Sequence, residues 1–313
     1  MNSKNMAANP AVSIVGVDWG TTHRRAYAIT GDGLLAREAS DSDGALACKG
    51  RFPAALDAAL QALDVQGTGV VLAGMVGSAL GWHEVPYVDS SVPVQDLATH
   101  ALRVPDAKTG VSAIIIPGYR VRNAQGVPDV MRGEETQLLG AWALGHRSGW
   151  FVLPGTHSKW VELNEGRVVQ LRTYMTGELF DLLSKHGTVA AAAGGVAPVW
   201  DESAFAEGVK AAGHHALSHQ IFSVRARVVC KDMPASSTTA YLSGLLIGTE
   251  LKDVLQGNTG ASPQGTFKLL GSPQLAAHYQ TAAQHLGLSF DILDAKAAFV
   301  AAVHHLHLNW NPL

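Results

Sequence analysis

The sequence predicts an α/β protein built from two related domains, and two observations support this. Short apolar runs alternate with stretches of helical spacing, a pattern typical of sheets covered by helices. One order of elements also occurs twice: an apolar strand, a Gly-Thr turn, a strand, an acidic-Gly hairpin turn and a further strand. This repeat predicts a first domain at 11–145 and a second at 146–313.

The first copy of the repeat begins with Val12 to Val17, a nearly continuous apolar run of the kind expected for a buried strand. This run ends at Asp18 and is followed by the turn Gly20-Thr21-Thr22. The hairpin turn is Gly31-Asp32-Gly33. Further strands are expected at 26–30, 34–38, 70–73 and 112–116, and a helix at 52–63.

The second copy begins with the apolar strand Trp150 to Leu153, followed by the turn 154–158. Its hairpin turn is Asn164-Glu165-Gly166. Further strands are expected at 159–163, 168–173 and 267–270, and helices at 134–144, 239–255 and after 273.

Composition excludes several classes of partner. The 313 residues carry a formal net charge of -3, which gives no basic surface for nucleic acid or for an acidic membrane. No apolar run is long enough to span a membrane. The two cysteines, Cys48 and Cys230, suggest a reducing cytoplasm, and the polar segment 1–10 lacks the apolar core of a signal peptide. We therefore expect a soluble cytoplasmic protein.

The two Gly-Thr turns are candidate phosphate-binding loops. A glycine lets the backbone N–H groups approach a phosphate closely, and the Thr21 and Thr22 hydroxyls add donors beside Gly20. Asp18, at the end of its strand, is placed to hold Mg²⁺ through water. The alternative is an ordinary β-turn that begins with Asp. The corresponding candidates in the second turn are Gly155, Thr156, His157, Ser158 and Lys159.

Lys159 has two open interpretations, a phosphate contact or a surface position. Gly271-Ser272 joins a predicted strand to a predicted helix, an arrangement that suits a nucleotide. The standard P-loop and dinucleotide-binding motifs are absent from the sequence.

The segment Arg132-Gly133-Glu134-Glu135 opens a predicted helix and is the candidate catalytic site. Acidic residues at a helix start are favoured by the helix dipole, and this effect alone can explain the presence of Glu134 and Glu135. The functional interpretation is that Glu134 or Glu135 takes the proton of a substrate hydroxyl, while Arg132 meets an anionic substrate or the transferred phosphoryl group.

A buried strand ends in a turn of small residues, Ala73-Gly74-Met75-Val76-Gly77-Ser78, and Trp82 follows this turn. Such a turn can admit a ligand. The alternative is a tight crossover with Trp82 in the core. The expected substrate contacts are Arg24, Gly74, Met75, Gly77, Ser78 and Trp82. The candidates for holding a substrate carboxylate are Arg24, Arg120, Arg132 and Arg172.

Two other patterns need no function. Gly244 and Gly248 lie one helical turn apart and indicate close helix packing. His304, His305 and His307 predict a terminal surface stretch rather than a metal site.

Taken together, these blocks resemble the actin/hexokinase/Hsp70-type ATPase fold. The resemblance implies two actin-like (ribonuclease H-like) domains flanking an ATP/substrate cleft. Its first phosphate loop matches Val15 to Thr22, its second Leu153 to Trp160, and its adenosine loop Leu269 to Ser272. The helices at 134–144 and 239–255 match its two linking helices.

Four segments further resemble the 2-dehydro-3-deoxygalactonokinase family: Ala73 to Ser78, Val130 to Ala141, Met175 to Leu179 and Tyr241 to Gly248. The resemblance implies ATP- and Mg²⁺-dependent phosphorylation of the sugar acid 2-dehydro-3-deoxy-D-galactonate at O6, in galactonate breakdown. Related sugar kinases usually place an Asp as the base after a glycine, where this sequence has Gly133-Glu134.

Two other functions stay open. One is a kinase of the same fold that acts on another sugar or sugar acid, and the other is a nucleotide-binding sensor without turnover. The oligomeric state is also open, with a homodimer among the options.

Overall fold

The computed structural model describes residues 11–105, 107, 111–256 and 266–310. The expectation of a polar tail at 1–10 lies outside these residues. The described strands are β1 (Val12–Trp19), β2 (Arg24–Thr30), β3 (Leu35–Asp41), β4 (Gly69–Gly74), β5 (Val88–Asp89), β6 (Leu102–Arg103), β7 (Ala113–Ile115), β8 (Tyr119–Arg122), β9 (Pro128–Met131), β10 (Gly149–Leu153), β11 (Ser158–Asn164), β12 (Arg167–Tyr174), β13 (Phe267–Leu270) and β14 (Phe290–Leu293).

The described helices are α1 (Phe52–Ala62), α2 (Glu134–Ala143), α3 (Thr176–Lys185), α4 (Gly187–Ala193), α5 (Glu202–Ala211), α6 (Leu217–Val229), α7 (Thr238–Gln256), α8 (Pro273–His285) and α9 (Ala295–Asn309). Among the described residues, no helix is both long and apolar enough to span a bilayer.

The chain divides into two compact units. Unit 1 contains the described residues of 11–149, 162–171 and 294–310, and unit 2 contains those of 150–161 and 172–293. These two units are defined by contacts between residues, whereas the predicted domains are defined by the repeat in the sequence. The division into actin-like domains at 11–145 and 146–313 therefore stays a prediction.

The repeated order of elements is present in the sheets. The six-stranded sheet has the order β3-β2-β1-β4-β7-β6, and the five-stranded sheet has the order β12-β11-β10-β13-β14. In the first sheet β1 is antiparallel to β2 and parallel to β4. In the second, β10 is parallel to β13 and β13 to β14. A small third sheet has the order β5-β8-β9. Mixed sheets joined by helices confirm the predicted α/β class.

The central strand β1 is buried, as its continuous apolar sequence predicts. Ile14, Val15, Val17 and Trp19 are each 0% exposed. At Gly16 the helix α9 comes so close that an added methyl group would lie 2.4 Å from Val303 Cγ2. The first strand is therefore held by the sheet on both edges and by a helix on one face.

Glycines permit close helix packing in both units. A methyl group at Gly244 on α7 would lie 2.0 Å from the Phe205 carbonyl oxygen on α5, and one at Gly248 would lie 2.9 Å from Val209 Cα. In unit 1, a methyl group at Gly140 on α2 would lie 1.6 Å from the Ala298 carbonyl oxygen on α9. The packing explanation for Gly244 and Gly248 is confirmed.

The expectation of a terminal surface stretch around His304 was wrong. These residues belong to α9, whose Val303 and Leu306 are both 0% exposed. His304 Nε2 lies 3.1 Å from the Gly31 carbonyl oxygen. Sequence reasoning gave weight to the histidines and missed the apolar residues at helical spacing between them, Phe299, Val303 and Leu306.

Candidate functional site

In unit 1, the ends of β1 and β4 meet the start of α2. Strands β1 and β4 are parallel with Trp19 opposite Gly74, so both end at the same edge of the sheet. A methyl group at Gly74 would lie 2.9 Å from the Trp19 carbonyl oxygen and 3.7 Å from Asp18 Oδ1, and one at Gly133 would lie 3.4 Å from Gly74 Cα. Three segments that are distant in sequence thus converge within one unit.

Asp18 lies at this edge with its side chain 25% exposed. It is opposite Arg25 in the β1–β2 ladder, and the Arg25 Nη1 atom is 3.4 Å from Asp18 Oδ2. Burial raises the pKa of Asp18, while the Arg25 charge acts in the opposite direction. Mg²⁺ usually takes one or two carboxylates and keeps its other positions for water and phosphate oxygens. A partly exposed carboxylate at a strand end fits that need.

The first Gly-Thr turn is braced by its own backbone and by residues 43–46. Gly20 N donates to the His23 carbonyl oxygen at 2.9 Å, and Ala45 N donates to the Gly20 carbonyl oxygen at 2.9 Å. Trp19 Nε1 donates to the Asp43 carbonyl oxygen at 2.8 Å. The side chains of Thr21 and Thr22 are exposed on this braced turn. The turn therefore presents hydroxyl groups from a fixed backbone.

Glu134 and Glu135 occupy different environments at the start of α2. Gly133 N donates to both carboxylate oxygens of Glu135, at 2.9 and 2.7 Å. Glu135 is 0% exposed, and burial, followed by the Glu134 charge, raises its pKa to about 8. Glu134 is half-buried, and its Oε2 accepts from Arg132 N at 3.0 Å. Of the two, Glu134 is the one that a ligand can reach.

Arg132 joins the start of α2 to the loop after β4. Its Nη2 atom donates to the Val85 carbonyl oxygen at 2.7 Å, and its guanidinium carbon lies 4.3 Å from the centre of the Tyr87 ring. A methyl group at Gly77 would lie 3.0 Å from Arg132 Nη1. Arg132 Nε and Nη1 are buried and have no hydrogen-bond partner among the described residues. The guanidinium thus retains donor capacity beside the predicted substrate loop.

The other predicted substrate residues differ in placement. Met75 is half-buried, and its carbonyl oxygen accepts from Ser78 Oγ at 2.8 Å, which closes the turn after β4. Trp82 is half-buried and stacks on Phe52, with ring centres 6.1 Å apart and planes 6° apart. This stacking supports the alternative in which Trp82 packs at the edge of the core.

Arg24 is held away from solvent. It is 2% exposed, and it donates to the Ala55 carbonyl oxygen and to Asp41 Oδ2, each at 2.6 Å. Its guanidinium carbon lies 5.0 Å from the centre of the Trp19 ring. These contacts bind β2 to β3 and α1, so they argue against Arg24 as a ligand for substrate. Local sequence could not predict this, because a buried arginine and an exposed arginine in a strand have the same pattern of neighbours.

In unit 2, the second Gly-Thr turn leads into buried side chains. Lys159 is 5% exposed and its Nζ atom donates to Thr173 Oγ1 at 3.0 Å, so a surface position is excluded. Ser158 is 0% exposed and donates to Glu250 Oε1 at 2.7 Å. Thr156 and His157 are exposed, and a methyl group at Gly155 would meet no atom within 4 Å. The open part of this turn is therefore 155–157.

A cavity of about 300 Å³ lies beside this turn. Its walls include Gly155 of the turn and Leu275 and Tyr279 of α8, the helix that Ser272 caps by accepting from Leu275 N at 3.4 Å. A methyl group at Gly271 would lie 3.2 Å from Pro154 Cδ. Two segments predicted to bind nucleotide are thus brought together around one ligand-sized cavity.

Two aromatic residues of this cavity were missed by sequence reasoning. Trp200 and His278 stack with ring centres 4.2 Å apart and planes 4° apart, and both line the cavity. Neither belongs to a recognisable motif, and the contact joins the loop before α5 to α8. Only the three-dimensional structure could reveal this pair.

Comparison with known proteins places the chain in a family. The family model described as 2-keto-3-deoxy-galactonokinase matches residues 18–306. The Rhizobium meliloti (strain 1021) protein "Probable 2-dehydro-3-deoxygalactonokinase DgoK1" is 37% identical, covering 92% of this chain and 94% of the relative. The Escherichia coli (strain K12) 2-dehydro-3-deoxygalactonokinase is 35% identical, covering 93% of this chain and 96% of that protein.

Solved structures agree in fold. A Sinorhizobium meliloti protein described under the same kinase name is 34% identical with a TM-score of 0.85, covering 96% of this chain and 97% of its own. Component A of Acidaminococcus fermentans (R)-2-hydroxyglutaryl-CoA dehydratase, at 10% identity and a TM-score of 0.51, covers 96% of this chain and 99% of its own and shares the fold alone. These neighbours confirm the predicted actin-like α/β class. The chain belongs to the 2-keto-3-deoxy-galactonokinase family.

Proposed function

We propose that the protein is an ATP-dependent kinase that converts 2-dehydro-3-deoxy-D-galactonate to its 6-phosphate in galactonate breakdown. The observation that carries the proposal is the convergence of Asp18, Gly74 and Gly133, the residue before Glu134, at one edge of the unit 1 sheet. The family model and the names of the relatives supply the substrate. We also propose that the actin-like repeats are 11–145 and 146–313.

Unit 2 supplies the nucleotide site in this proposal. The cavity beside Gly155 has space for a base, and the Trp200–His278 stack offers an aromatic surface to it. Gly155 lets a phosphate approach the backbone, because no neighbouring atom occupies the space beside it. Thr156 adds an exposed hydroxyl donor next to it, whereas the exposed His157 is paired through Nε2 with Glu178 at 2.5 Å. The capped turn at Gly271-Ser272 packs against Pro154, which also lines the cavity.

Unit 1 supplies the phosphate turn, the metal ligand and the sugar-acid site. Gly20, Thr21 and Thr22 contact phosphate oxygens, and Asp18 holds Mg²⁺ through water. When bound, Mg²⁺ neutralises charge on the phosphate oxygens. The turn Gly74 to Ser78 borders the sugar acid.

Arg132 is the cation that holds the carboxylate of the sugar acid in this proposal. Its buried Nε and Nη1 atoms have no hydrogen-bond partner among the described residues, so each can donate a single hydrogen bond to a carboxylate oxygen. Arg24 is already committed to Asp41. Arg120 lies exposed on β8, and Arg172 stacks with its guanidinium carbon 6.0 Å from the centre of the Trp150 ring. Of the four arginines, Arg132 is thus the one that both lies beside the predicted substrate loop and has unpaired N–H donors.

Glu134 accepts the proton of the substrate hydroxyl, and Glu135 fixes the turn from which Glu134 projects. A general base typically contributes about 10²–10⁴ in rate. Correct positioning of the reactants can supply roughly 7–11 kcal/mol, which is the larger share. The two turns and the metal ligand should therefore matter more than Glu134 alone.

The test is ADP release from ATP and Mg²⁺ with a panel of sugars and 2-keto-3-deoxy acids. The proposal expects release that depends on 2-dehydro-3-deoxy-D-galactonate, with transfer to O6. Equal or greater release with another acid would assign the enzyme to that substrate. ATP binding in calorimetry without any sugar-dependent ADP would instead indicate a nucleotide-binding sensor.

A further inference from the structure

Glu250, a residue outside every predicted motif, lies at the centre of a buried hydrogen-bond cluster in unit 2. It belongs to α7 and is 1% exposed. Its Oε1 atom accepts from Ser158 Oγ at 2.7 Å and from Trp160 Nε1 at 2.6 Å. Its Oε2 atom accepts from Tyr279 OH at 2.8 Å and from the Thr176 hydroxyl. A carboxylate oxygen can accept in all four contacts, while burial raises the pKa of Glu250 and these hydrogen bonds act in the opposite direction.

The four donors come from three separate elements that surround the proposed nucleotide site. Ser158 and Trp160 begin β11, directly after the second Gly-Thr turn. Thr176 is the first residue of α3, and Tyr279 lies on α8. Thr176 and Tyr279 also line the cavity beside Gly155. One carboxylate therefore ties the turn, the helix start and the cavity wall to α7.

The turn and the start of α3 also touch each other directly. A methyl group at Gly177 would lie 2.3 Å from the Gly155 carbonyl oxygen, and Glu178 N donates to the Thr156 carbonyl oxygen at 2.9 Å. A small displacement of Thr176 or Ser158 would therefore move the backbone at 155–157. Four hydrogen bonds to one buried carboxyl group form a network that can hold such a position firmly.

We propose that Glu250 is a positioning residue that holds the second Gly-Thr turn in the geometry that binds the phosphates of ATP. Glu250 does not touch the nucleotide and acts through Ser158 and Thr176. This inference rests on the proposed function for the presence of ATP in the cavity. The alternative is that the buried polar cluster only stabilises the fold and has no effect on ATP binding.

Glu250→Gln separates these two roles. The amide keeps the size of the side chain, its oxygen can still accept from Ser158 and Trp160, and its NH₂ group can donate to the hydroxyls of Thr176 and Tyr279 after they rotate. We expect the variant to keep the fold while the ionisable group is lost. We expect the ATP dissociation constant, measured by calorimetry without sugar acid, to rise about 10-fold, or roughly 1.4 kcal/mol. The KM for the sugar acid should stay within about 2-fold.

The matched control is Val209→Ala, a core change in the same unit at a residue that does not line the cavity. It should lower the unfolding midpoint and leave the ATP dissociation constant unchanged. If Glu250→Gln lowers the midpoint but binds ATP as the wild type does, Glu250 is only structural and the proposal is overturned.

A second variant covers the case in which Glu250→Gln does not fold. Ser158→Ala removes one donor from a fully buried position, and we expect about 3-fold weaker ATP binding. Unchanged ATP binding in this variant overturns the proposal. A wild-type protein that binds no ATP overturns the proposed function itself. A wild type that binds ATP but shows no effect of either variant overturns only the role of Glu250.

Discussion

The backbone N–H of Gly133 donates to both carboxylate oxygens of Glu135, at 2.9 and 2.7 Å. Gly133 has a φ of 112°, a conformation that favours glycine. The buried carboxylate and the glycine therefore define one turn together. At this turn Gly133 packs against Gly74, since a methyl group at Gly133 would lie 3.4 Å from Gly74 Cα.

Glu135 should make stability depend on pH. Its pKa is raised by burial from 4.5 to about 8, so the folded protein binds this proton more tightly than the unfolded chain does. The contribution is fully present below the unfolded pKa of 4.5 and is lost as the pH rises through about 8. Within that window the slope is at most about 1.4 kcal/mol per pH unit.

Urea unfolding of wild type and Glu135→Gln at several pH values tests this. The stability difference, wild type minus variant, should fall between about pH 5 and pH 8. The exposed change Glu202→Gln, in the first turn of α5, controls for the loss of a carboxylate. Parallel profiles for wild type and Glu135→Gln would contradict the prediction.

Gly74→Ala should damage both stability and activity. Gly74 has a φ of 91°, and an added methyl group would lie 2.9 Å from the Trp19 carbonyl oxygen. Backbone strain of this kind costs about 1–3 kcal/mol, and relief would have to move the strand end that carries Asp18. We expect a lower unfolding midpoint and at least about 10-fold lower kcat/KM.

Gly67→Ala is the matched control for Gly74→Ala. It has a φ of 63°, but a methyl group there would meet no atom within 4 Å. It therefore imposes the backbone strain without the collision, and its activity should stay near that of the wild type. Equal loss of activity in the two variants would show that the contact with Trp19 is unimportant.

Arg132→Met should weaken binding of the sugar acid. Hydrogen bonds to charged groups contribute about 1.5–3 kcal/mol, so the KM for the sugar acid should rise roughly 10- to 100-fold. The ATP dissociation constant should remain near that of the wild type. The same change at the exposed Arg120 should leave both values unaltered. A normal KM in Arg132→Met would remove Arg132 from the substrate site.

The sequence predicted the parts of this site that depend on local order. Repeated strand and turn patterns pointed to Asp18 and Gly155, and the acidic pair at a helix start pointed to the beginning of α2, because such patterns are encoded by adjacent residues. It could not separate Glu134 from Glu135, since their difference is burial by distant segments. It also missed Glu250, whose nearest partner in sequence, Tyr279, is 29 residues away.

Arg24 shows that sequence reasoning can also assign a ligand contact to a residue that distant segments bury. Its position beside the Gly-Thr turn suggested a ligand contact, but the pairing of β2 with β3 sets Arg24 opposite Asp41. That pairing depends on hairpin register, which the local sequence leaves open. The helix α9 was missed because three histidines lie on it, although its apolar face is at helical spacing.

Asp18→Ala should reduce turnover at least as much as Glu134→Gln. Loss of the general base costs about 10²–10⁴ in rate, whereas loss of the metal ligand removes both charge neutralisation and correct placement of the phosphates. The exposed Arg25 loses its partner in Asp18→Ala, but such an ion pair contributes only about 0–1 kcal/mol, so the fold should persist.

The dependence on Mg²⁺ then separates the two roles. In Asp18→Ala, the Mg²⁺ concentration for half-maximal activity should rise about 10-fold, because the carboxylate that holds the ion through water has been lost. In Glu134→Gln it should stay near the wild-type value while kcat falls. Near-normal turnover in Asp18→Ala would remove the phosphate turn from the active site. An equal shift in Mg²⁺ dependence in both variants would make Glu134 a second metal ligand and not the base.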